Sequence, residues 1–241
     1  MKTTGETIRS GLIELGLRAD PSMAEMLTIY LEELEKWNRH FNLVGAGGRE
    51  LVVRHLLDSL SGFNFFMSMV ASVTGEDSSG GIDVLDVGSG AGFPGIPLAI
   101  AFGNTKSAYG KVRFTLLERS GRRAVFLENV SIRLGLNNVT VVEEDLKRFE
   151  RPQSGFDIIT TRAFSEGRAS DMRLLIGRMI RLLNRSGSII LYKGRLSRVA
   201  SEIAMLTGIF RHIEVYKVRV PFLEAERHLV VMQKKFLWES E

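Results

Sequence analysis

The chain has 241 residues, enough for one large or two small domains. Its 44% apolar and 25% charged content is ordinary for a globular protein and excludes a disordered, collagen-like or coiled-coil chain. Zero cysteines remove disulfides, Cys-type zinc sites, thiolate nucleophiles and iron–sulfur clusters together, while 32 basic against 28 acidic residues leave a formal net charge of +4. The longest apolar stretches, near Gly62 to Val73 and Ile96 to Phe102, fall far short of the roughly 20 residues a membrane span needs.

Met1 to Ser10 lacks a basic-then-apolar leader and contains Glu6, so the expectation is a cytoplasmic protein with no membrane partner. His40, His55, His212 and His228 show no ligand spacing, and no metal is expected.

The N-terminal part reads helical. After Asp20-Pro21, an N-cap followed by a proline suited to the first helical position, Met23, Met26, Leu27, Tyr30, Leu31, Leu34 and Trp37 form one apolar stripe. A glycine-rich loop, Gly45 to Gly48, precedes a second helical pattern that begins near Glu50 and runs to Leu60. Thr74 to Gly81 is the linker candidate. Together these predict an N-terminal helical extension over residues 1–75 and a second domain over 76–241.

From Ile82 onward β-branched runs alternate with helical patterns. Strands are predicted at Ile82 to Val87, Val112 to Leu117, Val139 to Val142, Phe156 to Thr161 and Ser188 to Tyr192. Helices are predicted near Pro97 to Phe102, Gly121 to Leu134 and Asp171 to Leu183. This alternation implies an α/β fold with a mostly parallel sheet and right-handed crossovers. Ile213 to Val220 and Arg227 to Gln233, closely connected, predict an antiparallel pair at the sheet edge.

The segment Asp86 to Gly95 (DVGSGAGFPG) lies directly after the first strand, where glycines allow a tight turn and close approach of a nucleotide-like ligand. Read from Gly90, it also satisfies the dinucleotide G-x-G-x-x-G spacing, so the pattern alone leaves NAD and S-adenosylmethionine both open. Asp86, with a charge that complements a cation better than a pyrophosphate, and Pro94, which removes an N–H, favour the latter. Glu118 ends the second strand, where a carboxylate suits ribose hydroxyls, and Asp145 follows the third, within reach of an adenine amino group.

Residues 160–200 carry nine basic against two acidic side chains, eight of the nine being arginine, the better phosphate ligand. Arg162 and Lys193, at the ends of the fourth and fifth strands, are expected to face the crevice as catalytic residues. Arg178, Arg181 and Arg195 are expected on phosphates, and Phe164 or Phe93 as a stacking surface for a base. His55 and Asp58, three apart on one helical face, form a pair beside Asn42 that can line a substrate pocket.

Asp86 to Pro97 (DVGSGAGFPGIP), Trp37-Asn38 with Asn42-Leu43, Arg54 to Leu60 (RHLLDSL), Thr161 to Phe164, Lys193-Gly194 and Glu226 to Val231 together resemble the bacterial small-subunit rRNA guanine-N7 methyltransferase G family, formerly called glucose-inhibited division protein B. The resemblance covers roughly residues 20 to 235. It implies a class I S-adenosylmethionine-dependent methyltransferase fold, Rossmann-like, with a seven-stranded sheet and an N-terminal helical extension. It further implies cofactor contacts at Gly88, Phe93, Leu146, Lys147 and Arg162, with Glu118 at the acidic position for the ribose, and the residue reading adds Asp86, Gly90 and Asp145 to the cofactor side. Asn42, His55, Phe164 and Lys193 fall on the substrate side.

The implied acceptor is N7 of a single guanine in the decoding-region loop of 16S rRNA, with the RNA or the small ribosomal subunit as partner; separately, a monomeric protein is expected. Other methyl acceptors leave signatures missing here: an N/D-P-P-Y/F segment after the fourth strand, where this chain has Thr161-Arg162-Ala163-Phe164, or a cysteine nucleophile. A small-molecule methyltransferase and a nucleotide-binding oxidoreductase remain as competing classes.

Overall fold

The computed structural model describes residues 3–74, 81–104, 112–150, 152–162, 169–195, 203 and 210–234. Helix α1 (Thr4–Glu14) opens with a capping box in which Thr3 and Glu6 satisfy each other's backbone N–H. Helix α2 (Pro21–Phe41) starts as the sequence predicts: the Asp20 side chain accepts from Ser22 N at 3.2 Å and Pro21 occupies the first turn. Asn42 ends it in the left-handed region at φ 48°, a C-cap role that explains an asparagine there.

The second helical pattern is not a regular helix. Helix α3 (Gly48–Leu51) passes into a π-helical segment (Val52–Leu57) and then α4 (Asp58–Leu60), before α5 (Phe63–Thr74). A π turn shifts the backbone ladder and recurs at functional sites.

The sheet follows, as β1 (Ile82–Val87), α6 (Gly95–Asn104), β2 (Val112–Glu118), α7 (Gly121–Arg133), β3 (Val139–Glu143), β4 (Phe156–Thr161), α8 (Ala169–Leu182), β5 (Leu183–Lys193), β6 (Phe210–Val218) and β7 (Arg227–Lys234). Its seven strands run in the order β3-β2-β1-β4-β5-β7-β6. β1 pairs in parallel with both β2 and β4, so the order reverses at β1 and opens a crevice beyond its carboxyl end. The antiparallel strand is β7, inserted between β5 and β6, so the sequence-predicted pair is present while the outermost strand is β6.

Alternation along the strands sends neighbours to opposite faces. Val84, Ile158 and Ile190 join one core with Ile8, Leu27, Leu56 and Phe66 of the N-terminal helices and with Ile96 and Phe126. Leu85, Ile159 and Ile189 join the other with Ile176 and Met179 of α8. The N-terminal helices therefore share a core with the sheet. No helix among the described residues is long and apolar enough to cross a membrane.

Candidate active site

The loop after β1 is built by backbone geometry that only glycine adopts freely. Gly88, Gly90 and Gly92 have φ of 68°, 59° and 99°. Gly88 N donates to Leu117 O at 2.8 Å, locking the loop to the end of β2. Glu118, 4% exposed, accepts from Gly90 N at 2.8 Å through one carboxylate oxygen and from Ser120 N at 2.9 Å through the other. The strand-end acid thus shapes the loop as well as facing the crevice.

Asp86 departs from its expected place. It is fully buried, and its Oδ2 accepts from Gly95 N at 3.1 Å at the start of α6. Its carboxylate braces the loop from inside instead of facing a cation across it, because the strand end sinks beneath the turn. Burial pushes its pKa up to about 7, against the pull of the Gly95 N–H and the Arg162 charge.

A cleft of about 440 Å³ opens beside this loop, lined among others by Gly88, Glu118, Asp145, Leu146, Lys147 and Thr161. Asp145 shapes its rim by accepting from Lys147 N at 2.8 Å. A carboxylate at the strand end, open space over Gly88 where a Cβ would meet nothing within 4 Å, and an apolar wall at Leu146, Leu174 and Leu175 fit an adenosyl group.

Arg178 corrects its sequence assignment. Its guanidinium donates to Leu146 O at 3.4 Å and Phe149 O at 3.3 Å, holding the loop after β3 instead of facing phosphates. Arg181 is corrected too. It lies in the last turn of α8, and β5 begins directly after that helix with Leu183 paired to Phe156, the first residue of β4. Arg181 therefore sits at the amino edge of the sheet, opposite the crevice.

Arg162, just past β4, is the centre of a dense network with the π-helical segment. Its Nη1 donates to His55 O at 2.9 Å and Ser59 Oγ at 3.2 Å, and its Nη2 donates to Arg54 O at 3.2 Å and to His55 Nδ1 at 3.1 Å. Its Cζ lies 5.5 Å from the centroid of the Phe93 ring, which also packs against the His55 ring at 5.3 Å.

The buried Asp58 completes the cluster, 3.6 Å from Arg162 and 3.2 Å from Arg227. Burial pushes its carboxyl upward, opposed by both arginines. His55 and Asp58 therefore do not bond to each other, as regular helical spacing suggests; both engage Arg162.

Lys193, at the end of β5, is 8% exposed, and its register partner His228 bonds Gly194 O at 2.7 Å. Asn42 and Arg195 are exposed, while Phe164 lies outside the described residues. Sequence reasoning misses Tyr30 as anything beyond an apolar stripe residue; its hydroxyl donates to Ala91 O in the glycine loop at 2.6 Å. It also misses Tyr192, whose hydroxyl donates to Ser59 O at 2.7 Å. A tyrosine in place of phenylalanine within an otherwise apolar run is the available signal for both.

The N-methyltransferase NodS from Bradyrhizobium japonicum, in complex with S-adenosyl-l-homocysteine, superposes with a TM-score of 0.55 at 16% identity, over 86% of this chain and 99% of that one. The shared sheet is that of the class I S-adenosylmethionine-dependent methyltransferases. A ribosomal RNA small subunit methyltransferase G from Treponema denticola is 34% identical over 245 residues, covering 93% of this chain and 92% of that protein. One from Laribacter hongkongensis is 38% identical over 227 residues, covering 93% and 96%. The sequence model described as rRNA small subunit methyltransferase G matches residues 23–230. Because that match runs from the second helix into the last strand, it takes in both the glycine loop and the helices that grip Arg162, and the chain belongs to the rRNA small subunit methyltransferase G family.

Proposed function

We propose that this chain transfers a methyl group from S-adenosyl-L-methionine to N7 of a single guanine in the decoding-region loop of 16S rRNA, leaving S-adenosyl-L-homocysteine, as a cytoplasmic monomer. The observation that carries the reading is the cleft beside Glu118, under a positive-φ glycine loop, in a chain of this family. When bound there, S-adenosylmethionine supplies a methyl group activated by a positively charged sulfur. Glu118 would hold the ribose, and Asp145, Leu146 and Lys147 the adenine side. Phe93, braced by Arg162, walls the loop toward the acceptor.

Guanine N7 has an in-plane lone pair and no proton, so the site needs no general base. The protein's contribution is orientation and exclusion of water. A base in A-form RNA hides N7 in a deep, narrow groove, so the target must be unstacked or in a loop. Exposed Arg195 at the carboxyl edge and Arg54 on the π-helical segment suit the approach of phosphates. In this reading residues 1–75 are an extension that contributes to RNA contact while sharing the core of the methyltransferase domain over 76–241, which holds the cofactor.

Calorimetry with S-adenosylhomocysteine and NAD, together with transfer of labelled methyl to undermethylated small-subunit particles, tests this. Binding of the first ligand and labelled RNA are expected. Tight NAD binding, or label found only in small molecules, would overturn it.

A further inference from the structure

The acceptor base has to be recognised without using the atom that reacts. On its Hoogsteen edge guanine shows N7 and O6 as acceptors, whereas adenine shows N7 and the N6 amino donor. With N7 reserved for the methyl group, the remaining mark on that edge is O6 against N6. A site selecting guanine there needs a group that donates and cannot accept.

His55 meets that requirement through its contact with Arg162. A guanidinium only donates, so His55 Nδ1, 3.1 Å from Arg162 Nη2, must accept. The neutral ring then carries its proton on Nε2, for which no hydrogen-bond partner is found among the described residues. The ring stays neutral because burial, and after it the charges of Arg162, Arg54 and Arg227, lower its pKa to about 4. Its orientation is held from two more sides, by the Phe93 ring at 5.3 Å and by the Arg162 bonds to its own carbonyl and to that of Arg54. The ring is only half-buried and stands against the loop that borders the cofactor cleft.

We propose that His55 is a specificity-determining residue: its Nε2–H donates to O6 of the acceptor guanine, placing N7 for methylation and rejecting adenine, whose N6 donor would oppose it. This rests on the guanine-N7 reading above. Arg162 acts as a positioning residue by fixing the tautomer, and the role of the π turn is to bring the Arg54 and His55 carbonyls and His55 Nδ1 to one guanidinium.

The test separates the two ring nitrogens. In His55→Asn the amide oxygen can replace Nδ1 as acceptor for Arg162, but no donor remains at the Nε2 position; in His55→Gln the amide N–H reaches that position. With particles carrying guanine at the target, kcat/KM should fall about tenfold or more in His55→Asn and largely recover in His55→Gln, the scale of one lost hydrogen bond.

With 2-aminopurine at the target, which keeps N7 and lacks O6, the wild-type protein should lose a similar factor and His55→Asn should lose nothing further. Nitrogen-15 NMR of the wild-type histidines should show His55 with an acceptor-type Nδ1 and a protonated Nε2, a readout independent of activity. Equal losses for His55→Asn on both bases, or a protonated Nδ1, would overturn the proposal. Wild-type protein inert on the guanine particle would instead overturn the reading beneath it.

Discussion

The Tyr30 hydroxyl, on the second helix, donates a 2.6 Å hydrogen bond to the carbonyl of Ala91 in the middle of the glycine loop. The tyrosine is fully buried and its ring packs 5.4 Å from that of Phe93, so the N-terminal helices hold the cofactor loop by a polar contact inside an apolar core. Removing the hydroxyl leaves a carbonyl without its partner. Tyr30→Phe should cost about 1–2 kcal/mol of stability in urea unfolding and weaken S-adenosylhomocysteine binding, whereas a loop held independently of these helices would bind as the wild type does.

Arg162 joins three parts of the chain, and its loss leaves the buried Asp58 with Arg227 alone. Arg162→Met should destabilise by about 3 kcal/mol, because the buried Asp58 loses one of its two ion-pair partners and the His55 carbonyl and Ser59 Oγ lose their donor. Arg162→Lys keeps the charge but not the fork, and should recover stability more than activity. Denaturation midpoints set beside initial methylation rates check both, and parallel recovery of the two would contradict the role of the fork.

Asp86 gives a pH dependence of defined sign. Its folded-state pKa is raised to about 7 by burial, so its contribution to stability is fully present below its unfolded pKa and is lost as pH rises through about 7. Asp86→Asn keeps an oxygen for Gly95 N and does not titrate. Relative to Asp86→Asn, the wild type should lose up to about 4 kcal/mol of stability between pH 4 and pH 8. Unfolding curves for both proteins across that range decide it; a constant difference would show that Asp86 does not titrate as described.

Glu118 accepts two backbone N–H groups with two oxygens. Glu118→Gln turns one acceptor into a donor facing a donor, and should weaken S-adenosylhomocysteine by about 10–100-fold in calorimetry. An unchanged affinity would remove Glu118 from the site.

The sheet is legible in the sequence where strands are buried on both faces: β1 and β4 fall on the predicted residues because their β-branched runs end at glycine or charge. β5 begins at Leu183, earlier than predicted, since Leu183 pairs with Phe156 before a register shift that Asn184 and Arg185 fill, and these polar residues interrupt the apolar pattern. The crevice is legible because parallel strands deliver acids such as Glu118 and Asp145 to one edge. The Arg162 cluster is not, as its bonds to His55 span 107 positions and a π turn has no periodicity of its own. Nor does composition show which arginines of a basic run are taken up by backbone carbonyls, as Arg178 is.

The most direct measurement is to methylate undermethylated small-subunit particles with this protein and cleave the RNA by chemistry selective for N7-methylguanine. One new cleavage, in the decoding-region loop and dependent on both S-adenosylmethionine and His55, is the predicted result. Label incorporated into RNA that resists this cleavage, or cleaved at many guanines, would contradict it.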